Sequence, residues 1–158
     1  RPLLLIAGAR TDETEDLQAL ARQAAPERIR LLCDVPRERM PDLYRALDLQ
    51  VLPSLFEMLP IAVLEALASG VPVAVHRHPV LQWMIGEHEP GGPGGIALDL
   101  SAPGRLRAFL DTVSADWLAP RARAARQRAQ AVFAKAVVVE RYVEYYRRVL
   151  ENPGEPPR

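Results

Sequence analysis

Asp48-Leu49-Gln50-Val51-Leu52-Pro53-Ser54-Leu55-Phe56-Glu57-Met58-Leu59-Pro60-Ile61-Ala62-Val63-Leu64-Glu65-Ala66-Leu67-Ala68-Ser69-Gly70-Val71-Pro72-Val73 decides how the chain is read. Leu49 to Leu52 is a short apolar run stopped by Pro53-Ser54, which predicts a strand. Pro60 to Ala68 predicts a helix, with Pro60 in the first turn, where its missing N–H costs nothing. Gly70 ends that helix and Pro72 to Val75 predicts the next strand, so the stretch reads as a βαβ unit.

The same alternation extends outward. Upstream, Leu3 to Ala7 is an apolar run ending at Gly8 and predicts a buried strand. Thr14 to Ala25 carries Leu17, Leu20, Ala21 and Ala24 at helical spacing. Ile29 to Cys33 is a second strand, and Arg37 to Leu47 a helix with Met40, Leu43, Tyr44 and Leu47 on one face. Downstream come a short helix from Val80 to Ile85, a glycine-rich loop from Pro90 to Gly95 and a weaker strand from Ile96 to Leu100. Helices follow over Gly104 to Val113, Arg121 to Phe133 and Val138 to Leu150, and residues 151–158 read as a disordered tail with three prolines. Strands alternating with helices predict an α/β fold, a doubly wound parallel sheet with flanking helices spanning residues 1–150.

Composition narrows the function. At 158 residues with 49% hydrophobic and 25% charged side chains, the chain reads as an ordinary globular protein. Twenty basic residues balance twenty acidic ones, which argues against bulk electrostatic binding to nucleic acid or an anionic membrane. The one cysteine, Cys33, excludes an internal disulfide and a cysteine-built zinc site. Nineteen of the basic residues are Arg, and the chain holds 23 Ala and 15 Pro, a bias that suggests a GC-rich bacterial genome. No apolar stretch approaches the roughly 20 residues of a membrane span.

In open parallel sheets, ligands bind beyond the carboxyl ends of the strands. The richest such loop is Pro53 to Pro60. It opens a helix whose unpaired N–H groups and positive dipole end suit a phosphate. Two readings fit Glu57: a helix cap, or an acceptor for sugar hydroxyls. Two also fit Glu65, a carboxylate within the apolar run Ile61 to Ala68. It is either satisfied by a backbone amide or an Arg, or it is placed for a ribose diol.

The stretch from Asp48 to Val73 closely resembles the signature of the group 1 glycosyltransferases, retaining enzymes of the GT-B architecture with Rossmann-like domains. That family carries two Glu residues separated by seven others, as Glu57 and Glu65 are, followed by Ala and a Gly-Val-Pro-Val step. The resemblance runs over about residues 3 to 114. It implies Glu57 as the catalytic-site carboxylate that orients the donor sugar and Glu65 as the ribose contact. It implies donor-binding amides at Met58, Leu59 and Ile61, and further donor contacts at Gly8 with Arg10, at Val35 and at His76. The donor that the resemblance implies is a UDP- or GDP-sugar, with no cofactor and no metal, and the implied acceptor is a hydroxyl. The setting it implies is bacterial polysaccharide biosynthesis, in the cytoplasm or peripheral to the inner membrane face, with no nucleic-acid partner.

This sequence departs from the family in three ways. Met58 stands where the family often has Gly, and so does Asp34. The family's domain opens with one more strand and helix, bearing an Arg and a Lys for the donor diphosphate, and an acceptor-binding domain precedes it. The chain starts at Arg1 without either. The expectation is therefore the C-terminal half of a longer enzyme, with an open slot in the sheet that the rest of the protein or a second copy in a dimer fills. The isolated chain is expected to be inactive. A non-catalytic nucleotide-binding or assembly module of the same fold is the alternative, and a sugar-nucleotide epimerase is disfavoured for want of an acid/base pair.

The remaining signals read blandly. His76, Arg77 and His78 are expected at the rim of the crevice rather than as metal ligands. Gly91 to Gly95 lacks the Lys-Ser/Thr of a P-loop and is expected as a mobile loop near the donor. Cys33 is expected as an inert core thiol, Trp83 and Trp117 as packing residues. Arg121, Arg123, Arg126 and Arg128 are expected on a solvated face, with contact to anionic lipid as the other reading.

Overall fold

The structure is a computed structural model that describes residues 3–151. All five strands run parallel to their neighbours, interleaved with helices, which is the α/β class that the alternation predicts. Within the described residues the chain forms two compact units, one up to Leu43 and one from Tyr44. The strands make two ladders rather than one continuous sheet. The expected tail at 152–158 lies outside the described residues.

In the first unit, β1 (Leu4–Gly8) pairs with β2 (Ile29–Cys33), in register from Leu4↔Ile29 to Gly8↔Cys33. Helix α1 (Thr14–Ala24) makes the crossover between them. A 3₁₀ turn over Arg37–Arg39 runs into α2 (Met40–Arg45), which crosses from the first unit to the second. β1 is not the buried strand its apolar run suggests: Leu4 is 49% exposed and Ala7 and Gly8 are open. The reason is coverage. Two strands with one crossover helix cannot enclose both faces of a parallel ladder, and α1 itself leaves Leu17 and Leu20 exposed.

The second unit holds β3 (Gln50–Leu52), β4 (Val73–His76) and β5 (Gly95–Leu98) in that order. Between them lie α3 (Ile61–Ala68) and α4 (Pro79–Ile85). After β5 come α5 (Arg105–Leu110), α6 (Ala115–Arg128) with a π-type turn at Ala129–Phe133, and α7 (Lys135–Glu151). β4 is the central strand, and Val73, Ala74 and Val75 are fully buried against α3 and α4, as are Val63, Leu67, Leu81, Met84 and Ile85. Each such aliphatic side chain contributes about 1.5–3 kcal/mol on burial, so this layer is the core of the unit.

Local chemistry explains the element ends. α3 stops in a Schellman motif: Val71 N donates to Ala66 O at 2.9 Å and Gly70 N to Leu67 O at 3.0 Å. Gly70 holds the left-handed φ of 74° that this requires. α6 begins at Ala115, not at Arg121 as the apolar spacing suggests, because Ser114 caps it, accepting from Trp117 N at 3.2 Å. Pro120 is accommodated inside the helix.

The glycine-rich segment needs correcting. β5 is parallel to β4 with Gly95 opposite Val73, so the loop before it lies at the amino edge of the sheet, away from the carboxyl-end loops. Gly94 and Gly95 are buried. A Cβ on Gly95 would lie 2.0 Å from the Val73 carbonyl oxygen, and one on Gly94 2.8 Å from Ala125 Cα. These glycines serve close packing, not a mobile donor loop.

The arginines of α6 are also not a bare solvated face. Arg126 donates to the Ala68 carbonyl at the end of α3. Arg128 donates to Trp83 O at 2.6 Å and lies 3.4 Å from Glu89. Arg121 stacks 4.2 Å over the Trp117 ring. Two of these arginines thus satisfy carbonyls that helix ends leave open. Trp83 and Trp117 do pack, edge-on against Phe133 and Phe109 respectively.

Candidate functional site

The candidate residues divide between the units: Gly8, Arg10 and Val35 in the first, Glu57, Met58, Leu59, Ile61, Glu65 and His76 in the second. Each group is placed by its own scaffold.

In the second unit, β3 ends at Leu52 and the chain runs through Pro53–Pro60 before entering α3, so Glu57 lies in the loop leaving the carboxyl end of a strand. Phe56, Met58, Leu59 and Ile61 are exposed here, with Met58 at 79%. Such a cluster of open apolar side chains marks a contact surface more often than an idle one. Glu57 itself is half-buried. It is not a helix cap: the residue before α3 is Pro60, and no side chain bonds the helix N-terminus there. The first donors to find a carbonyl are Val63 N at 3.1 Å and Leu64 N at 3.4 Å, both to Pro60 O. The N–H groups ahead of them keep the positive end of the helix open to an acceptor from outside.

Glu65 sits one turn into α3, half-buried, between the buried Ala66–Leu67 pair and Leu64. The Tyr44 phenol on α2 is the group whose titration the Glu65 carboxylate raises. Tyr44 is 5% exposed. Burial, then the bond to Glu65 and its negative charge, push the phenol's pKa well up from its ordinary value. Sequence reasoning placed Tyr44 on the apolar face of its helix and stopped there. The two residues lie on separate helices, and only the fold relates them.

His76 is the last residue of β4, and its Nδ1 accepts from Leu100 N at 3.2 Å. With Nδ1 as acceptor, the proton of the neutral ring sits on Nε2. The bond also reveals a loop the sequence did not flag, Asp99–Ser101 after β5, at the same edge as His76. Asp99 accepts from Ser101 Oγ at 2.5 Å and Ser101 N at 3.1 Å. These bonds, chiefly the hydroxyl one, hold its carboxyl below the usual range, with smaller help from His76 and Arg105. The strand end followed by Asp-Leu-Ser was the available signal. His78 packs edge-on to Phe56 with ring centroids 5.2 Å apart, and its buried Nδ1 has no partner. Among the described residues no three His, Cys, Asp or Glu side chains converge as a metal-binding group.

In the first unit the loops after β1 and β2 are tied together. Asp34 N donates to Gly8 O at 3.0 Å, and Asp34 Oδ1 accepts from Arg10 N at 3.0 Å. The Arg10 guanidinium reaches Asp34 Oδ2 at 4.0 Å, a solvent-exposed pair. Asp34 has φ 54°, in the left-handed region that glycine enters at least cost. An Asp tolerates it here because its side chain bonds the neighbouring loop. Val35 lines a cavity of about 600 Å³ with Pro36, Arg39 and Leu43. Gly8 borders a second cavity, of about 460 Å³. Cys33 lines both and is half-buried with a free thiol, so it is not the core residue expected.

No described helix is long and apolar enough to cross a membrane. Comparison with known proteins agrees with the fold. The chain is similar in structure to a sucrose-phosphate synthase from Thermosynechococcus elongatus, with a TM-score of 0.78 and 23% identity over 94% of this chain and 38% of that one. It is also similar to a pneumococcal O-GlcNAc transferase, GtfA, solved with UDP and GlcNAc, with a TM-score of 0.67 and 16% identity over 95% of this chain and 30% of that one. The chain thus spans well under half the length of either. No curated protein sequence matches it significantly. The sequence family "Glycosyl transferases group 1" matches residues 1–132, most of the chain, and carries the Glu57–Glu65 stretch within it. The chain belongs to the group 1 glycosyl transferases.

Proposed function

We propose that the chain is the nucleotide-sugar-binding, C-terminal part of a retaining glycosyltransferase of the GT-B architecture. The complete enzyme transfers a sugar from a UDP- or GDP-sugar to an acceptor hydroxyl, with retention at the anomeric carbon. The observation that carries this reading is Glu57 in the loop leaving β3, followed by the uncapped N-terminus of α3 and by Glu65 one turn on. In this reading the α3 dipole and the amides of Met58, Leu59 and Ile61 stabilise charge on the departing diphosphate. Glu57 accepts hydrogen bonds from the hexose, and Glu65 from the ribose. Gly8, Arg10 and Val35 in the first unit and His76 in the second are further candidate donor contacts. No cofactor or metal is needed, since helix dipole and N–H groups supply the positive potential.

Calorimetric titration with UDP, GDP and ADP tests the reading. One of the uridine or guanosine diphosphates should bind, and Glu65→Ala should weaken it by about tenfold or more, the loss of hydrogen bonds to a charged group. If none binds, the chain is an assembly module that has kept the fold. Glycosyl transfer at a normal rate by this chain alone would contradict its assignment as one part of the enzyme.

A further inference from the structure

Two loops flank His76 in the second unit. It is the last residue of β4 and pairs with Leu98 of β5, while Val75 before it pairs with Leu52, the last residue of β3. On one side lies the loop Pro53–Pro60 that carries Glu57, on the other Asp99–Ser101. The edge-on contact of His78 with Phe56 places the loops after β3 and β4 side by side. We propose that His76 binds the nucleoside diphosphate as a neutral ring donating from Nε2, and that the loop after β5 sets this tautomer. The proposal rests on the assignment of this edge to the nucleotide made above.

Three observations support it. First, a backbone N–H can only donate, so the 3.2 Å bond from Leu100 N requires that Nδ1 of His76 carry no proton. The neutral ring then has its one N–H at Nε2. Second, the loop that makes this bond is itself held. Asp99 accepts from both the hydroxyl and the N–H of Ser101, which brackets Leu100. Arg77 N, next to His76, donates to Leu98 O at 2.8 Å, so the β4–β5 pairing runs up to the loop. Third, capacity remains. Among the described residues nothing bonds Nε2, and His76 is half-buried rather than sealed. A ring already oriented spares the ligand the cost of ordering one side chain. Its bond to a phosphate oxygen is charge-assisted, at the edge where the open N-terminus of α3 also favours an anion.

Nitrogen-15 spectra of the chain test the tautomer. The chain has three histidines, so substitution of His78 and His88 assigns the signals. The pH is set at 8, above the ordinary imidazole range, because the Asp99 charge favours the cationic ring. His76 should carry a proton on Nε2 and none on Nδ1, and whichever of UDP and GDP binds should move the Nε2–H resonance. A proton on Nδ1, or a resonance unmoved by a nucleotide that binds, overturns the proposal.

Calorimetry of variants tests the contact. An Asn side chain puts its carbonyl about where Nδ1 lies, and a Gln puts its amide about where Nε2–H lies. His76→Asn should weaken the nucleotide by about tenfold or more, the loss of a hydrogen bond to a charged group. His76→Gln should recover part of that loss. Equal or reversed affinities would mean that the ring only holds Leu100, and the proposal is wrong. Asp99→Ala, which frees the loop, should cost about two- to tenfold, the ordering of one side chain, and nothing further beside His76→Asn. A loss that persists there removes the loop as the group that positions His76. If Glu65→Ala weakens the nucleotide and His76→Asn does not, the proposal fails while the reading of the site stands. If no nucleotide binds, that reading falls and takes the proposal with it. Should the His76 variants fail to fold, the wild-type spectra decide.

Discussion

The two units are built from the same strand–helix–strand grammar, yet they bury different amounts. In the second, β4 has a neighbour on each side and Val73, Ala74 and Val75 are sealed. In the first, β1 and β2 have only each other, and among the described residues only Thr14 and Ala21 are buried. Similar apolar runs, Leu3 to Ala7 and Val71 to Val75, end in opposite environments. Burial is therefore a property of the number of layers around a strand, not of the strand's own residues. The first unit, with fewer buried side chains, is the one whose local opening should be easiest.

The sharpest way to break that comparison is at the β4–β5 contact. Gly95→Ala puts a methyl into the Val73 carbonyl, which cannot step aside as a flexible side chain would. We expect a loss of about 3 kcal/mol or more, read by denaturant unfolding with Trp83 and Trp117 as probes, both in the second unit. A stability within 0.5 kcal/mol of wild type, about the scatter of surface substitutions, would mean that β5 pairs elsewhere.

Leu67→Ala should cost about 2–5 kcal/mol, since Leu67 is fully buried in α3. Leu20→Ala, at a side chain 60% exposed in α1, should stay within about 0.5 kcal/mol. Equal costs at the two sites would show that the first unit is as well enclosed as the second.

A smaller effect comes from pH. The raised pKa of Tyr44 means the folded chain holds that proton more tightly than the unfolded one, whose phenol ionises near pH 10. The contribution is whole below about pH 10 and declines as pH rises above it. Tyr44→Phe should therefore flatten the alkaline fall in unfolding free energy, measured from pH 8 to 11. An identical slope in both proteins would show that the phenol's proton is not held more tightly in the folded chain.

The smallest perturbation is chemical. Cys33 should react with a thiol reagent in the native state, in minutes at neutral pH, without unfolding the second unit's tryptophan signal. Protection as strong as global unfolding would require the first unit to be sealed.

The sequence could be read furthest where structure is local. β2 falls at Ile29–Cys33 as its apolar run predicts, and the helix over Ile61–Ala68 ends at Gly70, because Schellman geometry is written in a few adjacent residues. The pattern failed where a distant partner decides. Spacing of apolar residues placed the start of α6 too late, since Ser114 and not hydrophobicity sets it. Four arginines along one helix look alike in sequence, yet two find carbonyls on α3 and α4. The glycine-rich run looked like a ligand loop, and strand direction put it at the opposite edge of the sheet.

The candidate site divides in the same way. The spacing of Glu57 and Glu65 and the family they point to were legible in one stretch, because a strand, a loop and a helix N-terminus are consecutive elements. The partner of Glu65 was not. A carboxylate in an apolar run needs a donor for elementary electrostatic reasons, and that much follows from residue types alone. That the Tyr44 phenol on α2 is the group its charge perturbs follows only from how the chain folds. The sequence by itself determined the element order, the α/β class and the family. Tertiary structure decided which strands are enclosed, that Arg126 and Arg128 reach carbonyls on α3 and α4, and that Gly94 and Gly95 serve packing, since each depends on groups far apart in the chain meeting in space.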